Sequence, residues 1–212
     1  DTRNGVVTPI TGAGHVSAFQ QTPSGFVFAQ DTLARPSELF VKTFLGRETP
    51  ARITNVNPQL DDKTFGEYEQ FSFPGWNDET VHGYVIKPAG YVEGQKYPVA
   101  FLIHGGPQGS FGNGWSYRWN PETYAGTGYA VVMIDFHGST GYGQGFTDAI
   151  SQHWGGRPLA DLKKGWAAAQ QRYDFLDGDN ACALGASYGG YMINWIAGNW
   201  SDEFKCLVNH DG

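Results

Sequence analysis

Ser187 lies between two glycines in the run Gly185-Ala186-Ser187-Tyr188-Gly189. A serine hydroxyl is a weak nucleophile unless the backbone presents it and a base takes its proton. Glycines two residues before and two after the serine allow a turn too sharp for side chains at those positions. The serine is then exposed above the strand ends, and the backbone N–H of Tyr188 faces a reacting carbonyl. With 30 glycines in 212 residues, the bare pattern is only moderately specific. The rival reading is a glycine-rich helix start with Ser187 as its N-cap. The flanks favour the nucleophile: residues 179–184 read as a short buried strand and residues 191–197 as a helix, the context such an elbow needs.

A second group of residues suits the same chemistry. The apolar run 97–103 ends in His104-Gly105-Gly106-Pro107. A glycine pair at a strand end leaves backbone N–H groups unobstructed, as an oxyanion hole requires. Tyr188 N–H and an N–H of Gly105 or Gly106 are the expected donors, against the alternative of a plain strand-terminating turn. The loop from His137 to Gly145 is also glycine-rich. It lacks the G-x-G-x-x-G register and a Walker lysine, so it reads as a structural loop near the rim of the site. His104, His137, His153 and His210 show no metal-ligand spacing, so no metal is expected.

The elements that must position these residues fall into two parts. Residues 1–64 hold short strand-like runs (16–19, 25–30 and 37–41) separated by turns at Thr22–Gly25 and Ala34–Ser37, about one β-propeller blade in amount. Residues 55–64 read as a linker. From 65 to 212 the pattern is α/β: alternating strands at 65–73 and 80–87, fuller apolar runs at 97–103 and 129–135, and a helix at 159–175. The net charge is −7, with 14 Lys and Arg and no basic block, which argues against nucleic acid and anionic membranes as partners. No apolar run is long enough to span a bilayer. An aromatic content of 15% supports a large core rather than disorder. Cys182 and Cys206 each lie five residues before a presumed strand-end feature. Two buried thiols are the favoured reading, with a disulfide the alternative if the strands are neighbours. The chain starts at Asp1 without methionine, which suggests a processed or truncated product. The compartment stays open, the periplasm or a secreted route being slightly favoured over the cytoplasm.

Taken together, His104–Pro107, Gly138-Ser139-Thr140-Gly141-Tyr142-Gly143 and Gly185–Met192 resemble the prolyl oligopeptidase family of serine peptidases, in the branch that holds dipeptidyl-peptidase V and acylaminoacyl-peptidase. The resemblance is strong over about 65–212 and weak over 14–60. It implies the last blade of a β-propeller followed by the N-terminal half of an α/β-hydrolase domain. It also implies cleavage of short peptides without cofactor, releasing N-terminal dipeptides or acylated residues through an acyl-enzyme on Ser187. Where some relatives carry an oxyanion tyrosine this chain has His104, so backbone N–H groups are expected to serve. In α/β-hydrolases the acid and then the histidine follow the nucleophile. The chain ends 25 residues after Ser187. The triad Asp and His are therefore expected outside these residues, and the fragment alone is expected to be inactive. His210 and Asp211 are poor substitutes, since adjacent strand residues point to opposite faces. The alternatives are an esterase or lipase on the same fold, or a hydrolase-fold binding module that has lost catalysis. The resemblance leaves an oligomer possible.

Overall fold

The computed structural model describes residues 4–44 and 49–212; Asp1, read above as a processed start, lies outside them. The chain divides into two compact units, residues 1–63 with 113–120 and residues 64–112 with 121–212.

The first unit is an antiparallel meander of β1 (His15–Thr22), β2 (Gly25–Thr32), β3 (Arg35–Thr43) and β4 (Ala51–Arg52), paired in that order. Two-residue turns join the first three strands. The second turn is Leu33-Ala34, so Arg35, Pro36 and Ser37, expected in a turn, begin β3 instead. Phe28 and Phe40 stack at 5.9 Å across the paired strands. Asp31, nearly buried, accepts a hydrogen bond from the Trp115 N–H at 2.9 Å. The sheet is open, with β1 and β4 as its edges.

The second unit is a mixed α/β domain. Its strands are β5 (Tyr68–Pro74), β6 (Thr80–Ile86), β7 (Tyr97–Ile103), β8 (Ala130–Asp135), β9 (Leu176–Ala186) and β10 (Cys206–His210). They form one sheet in the order β10-β9-β7-β8-β6-β5. β5, β6 and β8 pair antiparallel, and β8, β7, β9 and β10 pair parallel. Every residue of β8 is buried, as expected of a central strand covered on both faces, whereas β5 alternates at the edge. The helices are α1 (Glu122–Ala125), α2 (Gln144–Asp148), α3 (Arg157–Arg172) and α4 (Tyr188–Asn199).

Helix α3 buries Leu159, Leu162, Trp166 and Ala169, spaced three and four apart on one face. Trp166 packs 5.4 Å from Phe101 of β7 and 5.7 Å from Phe204. The helix stops at Arg172, short of the expected Phe175, because Tyr173 is extended and leads into β9. No helix among the described residues is long and apolar enough to cross a membrane.

The favoured thiol reading of the two cysteines is corrected. Cys182 and Cys206 are directly paired residues of the parallel strands β9 and β10, their Cα atoms 4.7 Å apart, and they form a disulfide. Cys206 is exposed on the edge strand, so it is no core thiol.

Candidate active site

The parallel register brings three strand ends level. Ile103 pairs with Gly185, and His210 pairs with Ala186, so the residues that follow β7, β9 and β10 share one edge of the sheet. In open α/β sheets, ligands bind at the carboxyl ends of such strands.

β9 ends at Ala186 and α4 begins at Tyr188, leaving Ser187 as the whole of the turn. Ser187 has φ 57° and ψ −121°, a conformation sparsely populated by non-glycine residues and costing on the order of 1–3 kcal/mol. It is exposed, and its side chain caps nothing, so the N-cap alternative does not hold. Its backbone is fastened instead: Ser187 N–H donates to the His210 carbonyl at 3.0 Å, and its own carbonyl accepts from Tyr191 N–H at 2.9 Å.

The glycine spacing has a steric cause. A methyl group at Gly185 would run into the Gly189 backbone, and one at Gly189 would overlap the Ile103 carbonyl of β7. A Cβ at Gly190 would meet Gly212 Cα at 2.7 Å and the His210 carbonyl at 2.9 Å. The first turn of α4 thus seats directly on the strand ends. Tyr188 N–H belongs to that first turn, where a helix offers no carbonyl four residues back. The Tyr188 side chain turns inward, is buried, and donates its hydroxyl to the Trp154 carbonyl at 2.7 Å. Burial, with the nearby Tyr191 and Asp161, pushes its phenol well above the usual range, so it stays protonated.

Gly105 lies against the elbow. A Cβ built there would sit 3.3 Å from Ser187 Cβ and 3.8 Å from its Oγ. Gly106 has φ 128°, a value that glycine alone adopts freely, and its close contacts are within its own loop, on Gln108. The structure therefore brings Gly105 and Ser187 together and places Gly106 one residue further out.

His104 is held at both ring nitrogens. Nδ1 lies 2.8 Å from the Gly105 carbonyl, an acceptor only, so Nδ1 carries the proton. Burial pushes its pKa below the usual histidine value, outweighing the Gly105 carbonyl and Asp135, which favour the charged ring. In the neutral ring Nε2 is an acceptor, and the Ser139 hydroxyl, 2.8 Å away, donates to it. The ring stacks on Phe136 at 4.3 Å. The Ser139–His104 distance is that of a nucleophile–base pair, but Ser139 is fully buried, and His104 is oriented by a backbone carbonyl rather than a carboxylate. Among the described residues no side chain hydrogen-bonds the Ser187 hydroxyl. His210 closes the neighbouring strand β10, with Asp211 just beyond it, and the His210 carbonyl accepts the Ser187 N–H of the elbow.

Two buried carboxylates beyond the residues expected from sequence support the loop after β8. Asp135, fully buried at the end of β8, accepts from Phe111 N–H at 2.8 Å and from the Tyr142 hydroxyl at 2.6 Å. Asp161 of α3, also fully buried, accepts from the His137 N–H and ring Nδ1, each at 2.7 Å. Both lie outside any recognisable motif. For Asp135 the one signal available was a carboxylate ending an otherwise apolar run. Among the described residues no cluster of three or more His, Cys, Asp or Glu could hold a metal.

Residues 115–212 match the profile of the Prolyl oligopeptidase family. The chain is 40% identical over 212 residues to dipeptidyl-peptidase 5 of Aspergillus fumigatus, covering 95% of this chain and 28% of that protein. It is 49% identical over 146 residues to dipeptidyl-peptidase 5 of Schizosaccharomyces pombe, covering 68% of this chain and 21% of that one. Among solved structures, an acylaminoacyl peptidase in complex with Z-Gly-Gly-Phe-chloromethyl ketone superposes with a TM-score of 0.82 at 29% identity, over 95% of this chain and 32% of that one. The Pyrococcus horikoshii acylaminoacyl peptidase gives 0.78 at 28% identity, over 92% and 30%. Over residues 115–212 the chain matches the prolyl oligopeptidase family of serine peptidases, and it spans less than a third of the length of these relatives.

Proposed function

We propose that the longer parent protein is a serine peptidase acting on short peptides, releasing N-terminal dipeptides or acylated residues. In this reading residues 65–212 are the first half of an α/β-hydrolase catalytic domain, and residues 1–64 end a β-propeller. The observation that carries the reading is Ser187: exposed, at φ 57°, making no cap, and beside Gly105. Strain of this kind persists where a rigid surround enforces it, and it clusters at reacting groups. The substrate class is supported by the names of the relatives, dipeptidyl-peptidase 5 and acylaminoacyl peptidase.

Ser187 Oγ attacks the scissile carbonyl carbon while its proton passes to a histidine of the parent outside these residues, oriented by a carboxylate. The carbonyl oxygen becomes an anion, held by Tyr188 N–H and an N–H of Gly105 or Gly106. Such donors act because they are aimed before charge develops, and losing one typically costs ~10²–10³ in rate. Collapse breaks the C–N bond, the amine leaves with the proton, and water then hydrolyses the acyl-enzyme. His104 does not serve as base, since its acceptor nitrogen is taken up by the Ser139 hydroxyl.

Fluorophosphonate labelling of the full-length parent, with the adduct mapped by peptide mass spectrometry, tests the reading. Modification at Ser187 is expected. Modification at Ser139 or at another serine, with Ser187 untouched, overturns it. A panel of dipeptidyl amides, acylated amino-acid amides and simple esters then separates the peptidase from an esterase.

A further inference from the structure

The glycine-rich loop at 138–143 has no part in the proposed chemistry, yet it is tied to the His-Gly-Gly loop at three levels. The Ser139 hydroxyl reaches His104 Nε2 at 2.8 Å, Thr140 N–H donates to the Gly109 carbonyl at 2.8 Å, and Asp135, just ahead of the loop, takes Phe111 N–H at 2.8 Å. Ser139 is itself fixed and fully buried. Its N–H donates to the Phe136 carbonyl at 2.9 Å, and its carbonyl accepts from the Thr147 hydroxyl at 3.0 Å. Gly138, at φ 113°, has no room for a side chain, because a Cβ there would press on Ile150.

The path from Ser139 to the site is short. Its hydroxyl occupies Nε2, which leaves Nδ1 as the protonated nitrogen, and Nδ1–H holds the Gly105 carbonyl at 2.8 Å. The Gly105 carbonyl and the Gly106 N–H belong to one planar peptide unit and point in opposite directions. Fixing the oxygen therefore fixes the direction of the N–H. Glycine adjoining glycine has little of its own to resist rotation of that plane.

We propose that Ser139 is a positioning residue: through His104 it sets the orientation of the Gly105–Gly106 peptide beside Ser187. The proposal rests on the reading of Ser187 as nucleophile and adds a residue that touches neither substrate nor reacting atoms. Without the Ser139 hydroxyl, His104 Nε2 is left buried without its donor. The ring is then free to reorient, loosening its hold on the Gly105 carbonyl. The oxyanion exists only in the transition state, so the loss falls on turnover rather than on substrate binding.

The test uses the full-length enzyme, with sites counted by fluorophosphonate titration. S139A should lower kcat per titrated site by roughly ten- to a hundredfold with KM within about twofold. A peptide boronate, whose adduct on Ser187 is tetrahedral and anionic, should lose affinity by a similar factor. S139C, which keeps the volume with a weaker donor, should fall between, and it stands in if S139A fails to fold. The ¹⁵N resonance of His104 Nε2 should move downfield in both variants as its donor weakens. Unchanged kcat and boronate affinity in either folded variant overturns the proposal, as does an effect confined to KM. S187A separates the two readings. If it is inactive while S139A and S139C behave as the parent, only the role of Ser139 fails; if it turns over normally, the nucleophile assignment itself fails.

Discussion

At the scale of single residues, Ser187 carries backbone strain that glycine would not feel. Ser187→Gly should therefore raise folding stability by about 1 kcal/mol relative to Ser187→Ala, while both lose turnover. A denaturant titration of the two variants checks this. A glycine variant no more stable than the alanine one contradicts the strain. The motif was legible because its cause is steric: contact between Gly185 and Gly189, and between Gly189 and the Ile103 carbonyl, excludes every side chain at the two glycines. The His104–Ser139 bond was not legible. The two residues are 35 apart in sequence, and only the pairing of β7 with β8 makes them neighbours. Nor could the chain tell a thiol from a disulfide at Cys182 until β9 and β10 were in register.

At the scale of elements, two fastenings give measurable consequences. Glu122, in the first turn of α1, is buried and accepts the Gly66 N–H at 2.8 Å, which ties the helix to the approach to β5. Burial pushes its pKa up from 4.5 to about 7, against the lowering effect of the Gly66 N–H. The folded state then holds a proton that the unfolded state has released between those values. The contribution of Glu122 is complete below about 4.5 and is lost as pH rises through about 7. Glu122→Gln keeps an acceptor and stays neutral. It should match the parent at pH 4 and exceed it by about 3 kcal/mol at pH 8. Urea unfolding at the two pH values measures the difference, and a gap that does not grow with pH contradicts the assignment.

The disulfide closes the segment between β9 and β10, a sequence separation of 24; β9 runs on into the elbow, and the His210 carbonyl of β10 accepts the Ser187 N–H. Cys206→Ser should cost roughly 3 kcal/mol and speed amide exchange along β10, since the disulfide joins β10 directly to β9, its paired strand among the described residues. Unchanged exchange in β10 would show that α4 alone holds the strand. The strand pattern was otherwise readable, because buried parallel strands are continuous apolar runs and β7 matches its expected bounds. The end of the helix at 172 was less so: Tyr173 and Phe175 are apolar enough to continue the pattern, but they pack on each other at 5.8 Å outside the helix.

At the scale of the whole molecule, the chain holds a strained serine, a glycine loop beside it and the supports of both, within a fold whose relatives run to more than three times the length covered. In the proposed function, Ser187 is the nucleophile of the longer parent protein. The most direct test is the turnover of the full-length enzyme on a dipeptidyl amide with and without Ser187→Ala. A loss of about 10⁴-fold or more in kcat, with the variant folded and still binding a substrate-like peptide, is the predicted result. Turnover within tenfold of the parent would contradict it.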